Sequence, residues 1–121
     1  MAEFLYGDIT YKINGILILV YKELGKYARE KQCGDLFEKE LIKAGFKYNR
    51  EFRIGDSGNI VDFIIEDKII IELKTVPRLV REHFDQIKRY LYQTNLRLGI
   101  LVNFRVNYLE PKRVLLETYK N

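Results

Sequence analysis

The chain alternates two hydrophobic periods. Ile9, Ile13, Ile16, Leu17, Val20 and Leu24 recur at helical spacing, with Asp8 where an N-cap belongs and Gly25 closing the run, which predicts a helix over residues 9–24. A second helical run over residues 29–44 places Cys33, Phe37, Leu41 and Ala44 on one side and stops at Gly45. The period then shortens. Phe46, Tyr48, Phe52 and Ile54 predict a strand over residues 46–54, with Arg50 and Arg53 interleaved, and Gly55-Asp-Ser-Gly-Asn59 is a turn. Residues 60–65 and 69–75 are Ile/Val-rich, like strands buried on both faces, and enclose the charged turn Glu66-Asp67-Lys68. Pro77 ends the third strand. A helix over residues 80–94 follows, with Val80, Phe84, Ile87 and Leu91 as its core stripe. Beside that stripe runs a polar one of His83, Gln86, Tyr90 and Gln93. Residues 98–104 form an almost uninterrupted apolar strand, and residues 113–118, after Pro111, add an edge strand.

The order is therefore α-α-β-β-β-α-β-β. Three strands make an antiparallel meander. The helix between residues 69–75 and 98–104 makes a right-handed crossover, so those two strands should be parallel neighbours. This is an α/β fold with a mixed sheet flanked by helices.

Three charges interrupt the apolar hairpin: Asp62, Glu72 and Lys74. Glu72 and Lys74 are two apart in one strand, so they leave the sheet on the same face. A three-residue loop over Glu66–Lys68 would set Asp62 directly opposite Glu72. A loop one residue earlier would leave them diagonal neighbours, and a two-residue loop would send them to opposite faces. The simple alternative for these charges is an ion pair at the rim of the sheet. Two like charges side by side in an apolar sheet are costly, however, unless a cation sits between them. A hard divalent ion such as Mg²⁺ (or Mn²⁺) takes one or two carboxylates with waters completing its shell. Lys74 would then be placed to hold or help deprotonate the attacking water, or to stabilise charge developing on a phosphate.

Length and charge narrow the field. The chain has 121 residues, enough for one domain spanning residues 1–121. Its longest apolar run, residues 15–21, is far below the roughly 20 residues a bilayer span needs. Met1-Ala-Glu-Phe lacks the basic start and apolar core of a secretory signal. A single cysteine excludes an intrachain disulfide and a metal site built on cysteines, so a reducing cytoplasm is the expected location. Cys33 itself lies on an apolar stripe and reads as a buried structural thiol. A net charge of +4 and a pI near 9.1 favour an anionic partner, nucleic acid first.

Asp62, then Glu72-Leu-Lys74, resembles the D…(D/E)xK signature of the PD-(D/E)xK nuclease superfamily, which includes restriction enzymes and junction resolvases. The resemblance extends to the small GxxExxY group of that superfamily. Thr10-Tyr-Lys-Ile-Asn-Gly15, Tyr21-Lys-Glu-Leu-Gly25, Ile71-Glu-Leu-Lys74, Gln86 with Tyr90-Leu91, and Leu96-Arg-Leu-Gly-Ile-Leu-Val-Asn-Phe104 look like that group's segments in order. At the naming motif itself, Tyr27-Ala-Arg-Glu30-Lys-Gln-Cys33 keeps only the glutamate. The resemblance implies a restriction-endonuclease-like fold and a Mg²⁺-dependent deoxyribonuclease. Asp62 and Glu72 would hold the metal with the Leu73 carbonyl, and Lys74 would handle the water. Glu30 would join the metal directly or through water, and Gln86 would reach a phosphate or water beside Lys74. Tyr90 would touch substrate, and Tyr11 and Lys12 would border the DNA groove.

A homodimer is also expected, because a duplex has two strands and so small a domain offers one site. Two rivals stand beside the nuclease. One is a module of the same fold that grips nucleic acid with little or no cutting. The other is a structural acid cluster in a protein unrelated to nucleic acid.

Overall fold

The computed structural model describes residues 5–116. Its elements run α1 (Gly7–Leu24), α2 (Glu30–Ala44), β1 (Tyr48–Arg53), β2 (Ile60–Ile65), β3 (Ile69–Lys74), α3 (Arg81–Thr94), β4 (Leu98–Asn103) and β5 (Lys112–Leu115). One five-stranded sheet has the order β1-β2-β3-β4-β5. The β3–β4 pair is parallel and every other pair is antiparallel. The crossover helix is thus where the period change placed it, and the parallel pair lies next to it.

The sheet separates two apolar layers. Ile13, Leu17 and Val20 of α1 and Cys33, Phe37 and Leu41 of α2 meet Phe63, Ile65, Ile71, Leu73, Ile100 and Val102 on one face. Phe37 and Phe63 lie edge to face, their ring centroids 4.9 Å apart. On the other face, Ile87, Tyr90 and Leu91 of α3 cover Ile64, Ile70, Leu101 and Val114. Because β3 and β4 are covered on both sides, their runs are apolar without alternation. The single cysteine, Cys33, is fully buried, and its thiol is pushed up to about 11, mainly by burial.

Several local expectations need correction. Asp8 does not cap α1: the helix begins at Gly7 after Tyr6, which takes a left-handed φ of 56°. Asp8 sits inside the first turn, where a carboxylate complements the helix dipole. Ala44 is exposed at the last turn of α2. Val80 is also exposed, because it is the N-cap residue of α3. His83 Nδ1 accepts the Val80 N–H at 3.0 Å, which gives the histidine a helix-start role. The outermost expected strand residues of β1, 46 and 47, precede the ladder, and β5 is one residue displaced at its start. Residues 117 and 118 lie outside the described part.

The 66–68 turn forms as a three-residue loop. Glu66 and Asp67 both adopt left-handed φ, the Lys68 N–H bonds Ile65 O at 3.0 Å, and Ile65 pairs with Ile69. Lys47 secures the tip through Asp67 at 2.6 Å, while its N–H reaches Glu66 Oε2 at 2.7 Å.

The α3 helix lies unusually close to β4. A methyl group added at Gly99 would meet Ile87 Cδ1 at 2.5 Å and Cγ1 at 2.9 Å. Gly99→Ala should therefore cost about 1–3 kcal/mol by overpacking. Ile87→Val alone should cost about 0.5–1.5 kcal/mol. Since valine lacks the Cδ1 that clashes, the double variant should lose less than the two costs added. Urea denaturation of the four proteins checks this; strict additivity would show that the contact does not couple them.

Candidate active site

The β2–β3 ladder pairs Ile65 with Ile69, Ile64 with Ile70 and Phe63 with Ile71, which brings Asp62 and Glu72 opposite one another at its end. There the ladder is replaced by side chains. The Asp62 N–H donates to Glu72 Oε2 at 2.7 Å, and the Leu73 N–H donates to Asp62 Oδ2 at 2.8 Å. Each carboxylate is thus oriented by the backbone of the strand opposite. Each keeps a second oxygen, Asp62 Oδ1 and Glu72 Oε1, that accepts no hydrogen bond from the described residues.

The β1–β2 side breaks at the same point. Arg50 pairs with Phe63 and Phe52 with Val61, but the intervening Glu51 and Asp62 do not pair. Glu51 has a left-handed φ of 52°. Val61 and Phe63, two residues apart, consequently face opposite layers. Alternation alone therefore does not put Asp62 on the Glu72 face. The break releases Asp62 from both ladders, so that its carboxylate stands in the gap between β2 and β3. Sequence reasoning missed Glu51, because nothing in a glutamate inside an alternating run signals a left-handed backbone.

Glu72 is only 4% exposed, and Lys74 follows it on the same side of β3, with Nζ 3.2 Å from Gln86 Oε1 on α3. Tyr90, one helical turn beyond Gln86, is buried against the same region. Its hydroxyl is pushed up first by burial and then by the negative charge of Glu72. On the other side of the gap, a cleft of about 500 Å³ is lined by Glu30, Gly34, Arg50, Glu51, Asp62 and Leu73, among others. Arg50 spans its wall, bonding Asp35 Oδ1 at 2.8 Å and Glu38 Oε1 at 2.9 Å while lying over the Phe63 ring. The interleaved charge of β1 was the sequence signal for Arg50, but its inward direction was not legible.

Burial drives the acids upward. The Glu72 carboxyl is pushed up to about 8, first by burial and then by the neighbouring Asp62. Asp62 is also raised by burial, against the opposing pull of the Leu73 N–H and Lys74. Glu30, at the start of α2, is raised by partial burial and by Asp62, while Lys74 lowers it. Asp62, Glu72, Lys74, Gln86, Tyr90 and Glu30 thus form one electrostatically connected group. Tyr11 and Lys12 are not joined to it. They are exposed on α1 beside Thr10, whose hydroxyl is 3.4 Å from Arg113 on β5, two strands from β3.

Two desolvated carboxylates, each with a free oxygen, and an adjacent backbone carbonyl at Leu73 suit a hard divalent cation, which takes oxygen donors. Among the described residues, no three or more His, Cys, Asp or Glu side chains converge on a possible metal position. A cation held there would take its protein donors from the two carboxylates and the Leu73 carbonyl, with water completing the shell.

The raised acids make the metal-free protein sensitive to pH. As pH rises from 4.5 towards about 8, the unfolded chain releases the Glu72 proton while the folded chain retains it. The unfolded state then binds fewer protons, so the stability contributed below that window is lost across it. Melting in a chelator should show Tm falling as pH rises through this range, and Glu72→Gln should flatten the fall. A wild-type Tm that climbs over the same interval would contradict the assignment.

Comparison with curated proteins and with solved structures finds no match. No helix among the described residues is long and apolar enough to cross a membrane. The family model of the PD-(D/E)XK nuclease superfamily matches residues 7–114, from the first turn of α1 to β5. The matched span contains the three helices, β1 to β4, all of β5 but Leu115, and the Asp62, Glu72 and Lys74 cluster, and the architecture is restriction-endonuclease-like. The chain belongs to the PD-(D/E)XK nuclease superfamily.

Proposed function

We propose that this chain is a single-domain, divalent-metal-dependent nuclease that hydrolyses phosphodiester bonds in DNA, and that it belongs to the GxxExxY group within its superfamily. The observation that carries the reading is the mutual backbone clamp on Asp62 and Glu72, which holds a half-buried and a buried acid together and leaves an oxygen of each free. Mg²⁺ or Mn²⁺ bound by these oxygens and the Leu73 carbonyl would supply Lewis acidity and neutralise charge on a phosphate.

The remaining work falls to the chain's own groups. Lys74 Nζ donates hydrogen bonds to the attacking water or to a phosphate oxygen as charge develops there. Gln86 Oε1, 3.2 Å from that ammonium, holds it in place and orients substrate or water through its amide nitrogen. Glu30 borders the group from α2 and acts through water, in keeping with the two-carboxylate donor set. Tyr90 supports the site from beneath, because its buried position gives it little direct access to substrate. Tyr11 and Lys12 can meet only substrate that extends well beyond the cluster. A homodimer with one site per copy would let both strands of a duplex be cut.

Incubation with single-stranded, duplex and branched DNA in Mg²⁺ or Mn²⁺ tests this reading. The wild type should cut at least one substrate, and chelation should stop cutting. Asp62→Asn, Glu72→Gln and Lys74→Ala should each lower single-turnover rates by about 100-fold or more, as expected for groups acting on the transition state. Lys74→Ala should still bind Mn²⁺ and melt within a few degrees of wild type in its presence. A Lys74→Ala protein that melts early even with metal but cuts at the wild-type rate would make Lys74 structural. If the wild type binds DNA but cuts none under any metal, the chain is a binding module of this fold.

A further inference from the structure

Two tyrosines stand almost fully clear of the protein at the end of the sheet that carries Lys74: Tyr27 is 82% and Tyr108 83% exposed. Isolated exposed aromatic residues are ordinary. The loops that carry these two are tied together. Tyr27 lies in the α1–α2 loop, three residues before Glu30, and Tyr108 in the loop from β4 to β5. The Tyr21 hydroxyl donates to Val106 O and Asn107 O, drawing the second loop onto the end of α1. Lys26 Nζ donates to Asn107 Oδ1 at 2.9 Å and lies 5.3 Å from the centre of the Tyr27 ring. One ammonium thus bridges the two loops, from the Tyr27 ring to the residue that precedes Tyr108.

The second loop is also anchored to the candidate active site. Asn103 pairs with Lys74, and the Phe104 N–H donates to Lys74 O at 2.9 Å. Asn103 Oδ1 accepts the N–H of Val76 and Arg105, and its Nδ2 donates to Val76 O at 2.9 Å. Between the β3–α3 connection and this loop lies a cleft of about 240 Å³, whose lining includes Arg78, Asn103, Tyr108, Glu110 and Lys112. Lys112 is drawn loosely to Glu110, at 3.8 Å. Arg78 is exposed, with no ion-pair partner among the described residues, and Arg105 likewise.

Accessible ring faces among cations are the elements of single-strand recognition: every base has a face to stack, while the cations follow the phosphates. A duplex hides its base faces in its own stack. We infer that Tyr108 and Tyr27, with Arg78 and Lys26, form a stacking platform for unpaired nucleotides flanking the phosphate that Lys74 addresses. The inference takes its direction from the nuclease reading, which it narrows to substrates carrying a single-stranded segment, but binding tests it without cleavage.

Fluorescence anisotropy in a chelator, at one fixed salt concentration, would compare a single-stranded dT oligonucleotide, its rU counterpart and a DNA duplex of equal length. Wild type should bind the single strands more tightly than the duplex. Tyr108→Ala should weaken single-strand binding by about 5- to 100-fold, the effect of losing one stacked base. Tyr108→Phe should stay within about twofold of wild type, since stacking needs the ring and not the hydroxyl. Tyr27→Ala should act in the same direction, and neither alanine variant should alter duplex binding or Mn²⁺ affinity. A stronger loss for dT than for rU, or the reverse, identifies the strand the platform prefers and supports it either way. Wild-type single-strand affinity in Tyr27→Ala/Tyr108→Ala, or an equal loss for single strand and duplex, would overturn the platform. If Tyr108→Ala loses single-strand binding although the wild type cuts nothing, the platform stands and the nuclease reading fails.

Discussion

Two carboxylates that share a gap between strands impose the central constraint on this protein. Glu72 is buried and Asp62 half-buried, and each carboxylate is held by a backbone N–H of the facing strand. Hydrogen bonds from amides favour the charged forms, but burial and mutual repulsion oppose them more strongly, and the Glu72 carboxyl is driven up to about 8. Lys74 compensates only part of that repulsion, since its ammonium is also engaged with Gln86. Such an arrangement disfavours two bare charges side by side, and a proton or a metal ion between them would relieve the repulsion. The same desolvation that makes the pair unfavourable when ionised would strengthen its grip on a divalent ion.

The rest of the fold holds the gap open at a fixed width. The three-residue turn at 66–68 sets the register that brings the acids opposite each other. The left-handed backbone at Glu51 breaks pairing on the far side of β2, so Asp62 belongs to neither ladder. The parallel β3–β4 pair and the close approach of Gly99 to Ile87 bring α3 down onto the sheet. That approach places Gln86 within reach of Lys74 and Tyr90 beneath Glu72. Asn103 bonds the Val76 backbone where the chain leaves β3, which fixes the direction of the exit.

Much of this was legible from periodicity. Charges two apart in an isoleucine run must share a face, so Glu72 and Lys74 could be paired without a structure. The helix after them had to cross over, whereas Gln86 beside the lysine was carried by the family resemblance. The Asp62 position was legible only in part. Its register turned on which of three loop lengths formed, which the sequence left open, and its orientation depends on the break at Glu51, a backbone event with no side-chain signature. The same limit applies at Tyr6, whose left-handed φ displaced Asp8 from the cap. Helical spacing also misread Ala44 and Val80, because a stripe continues in sequence beyond the point where the sheet ends beneath it. Tyr11 and Lys12 were carried by resemblance alone, and both are exposed on α1, beside the Thr10 that meets Arg113 of β5.

The central claim is that the buried pair is a divalent-metal site that exchanges protons for the ion. Calorimetric titration of Mn²⁺ at pH 7, repeated in two buffers of different ionisation enthalpy, measures that exchange directly. The account predicts binding of about one ion per chain with net proton release, since ligand carboxylates must deprotonate. Both the binding and the release should be lost in Glu72→Gln and in Asp62→Asn. Absence of Mn²⁺ binding in the folded wild type, or unchanged binding in the two variants, would contradict it.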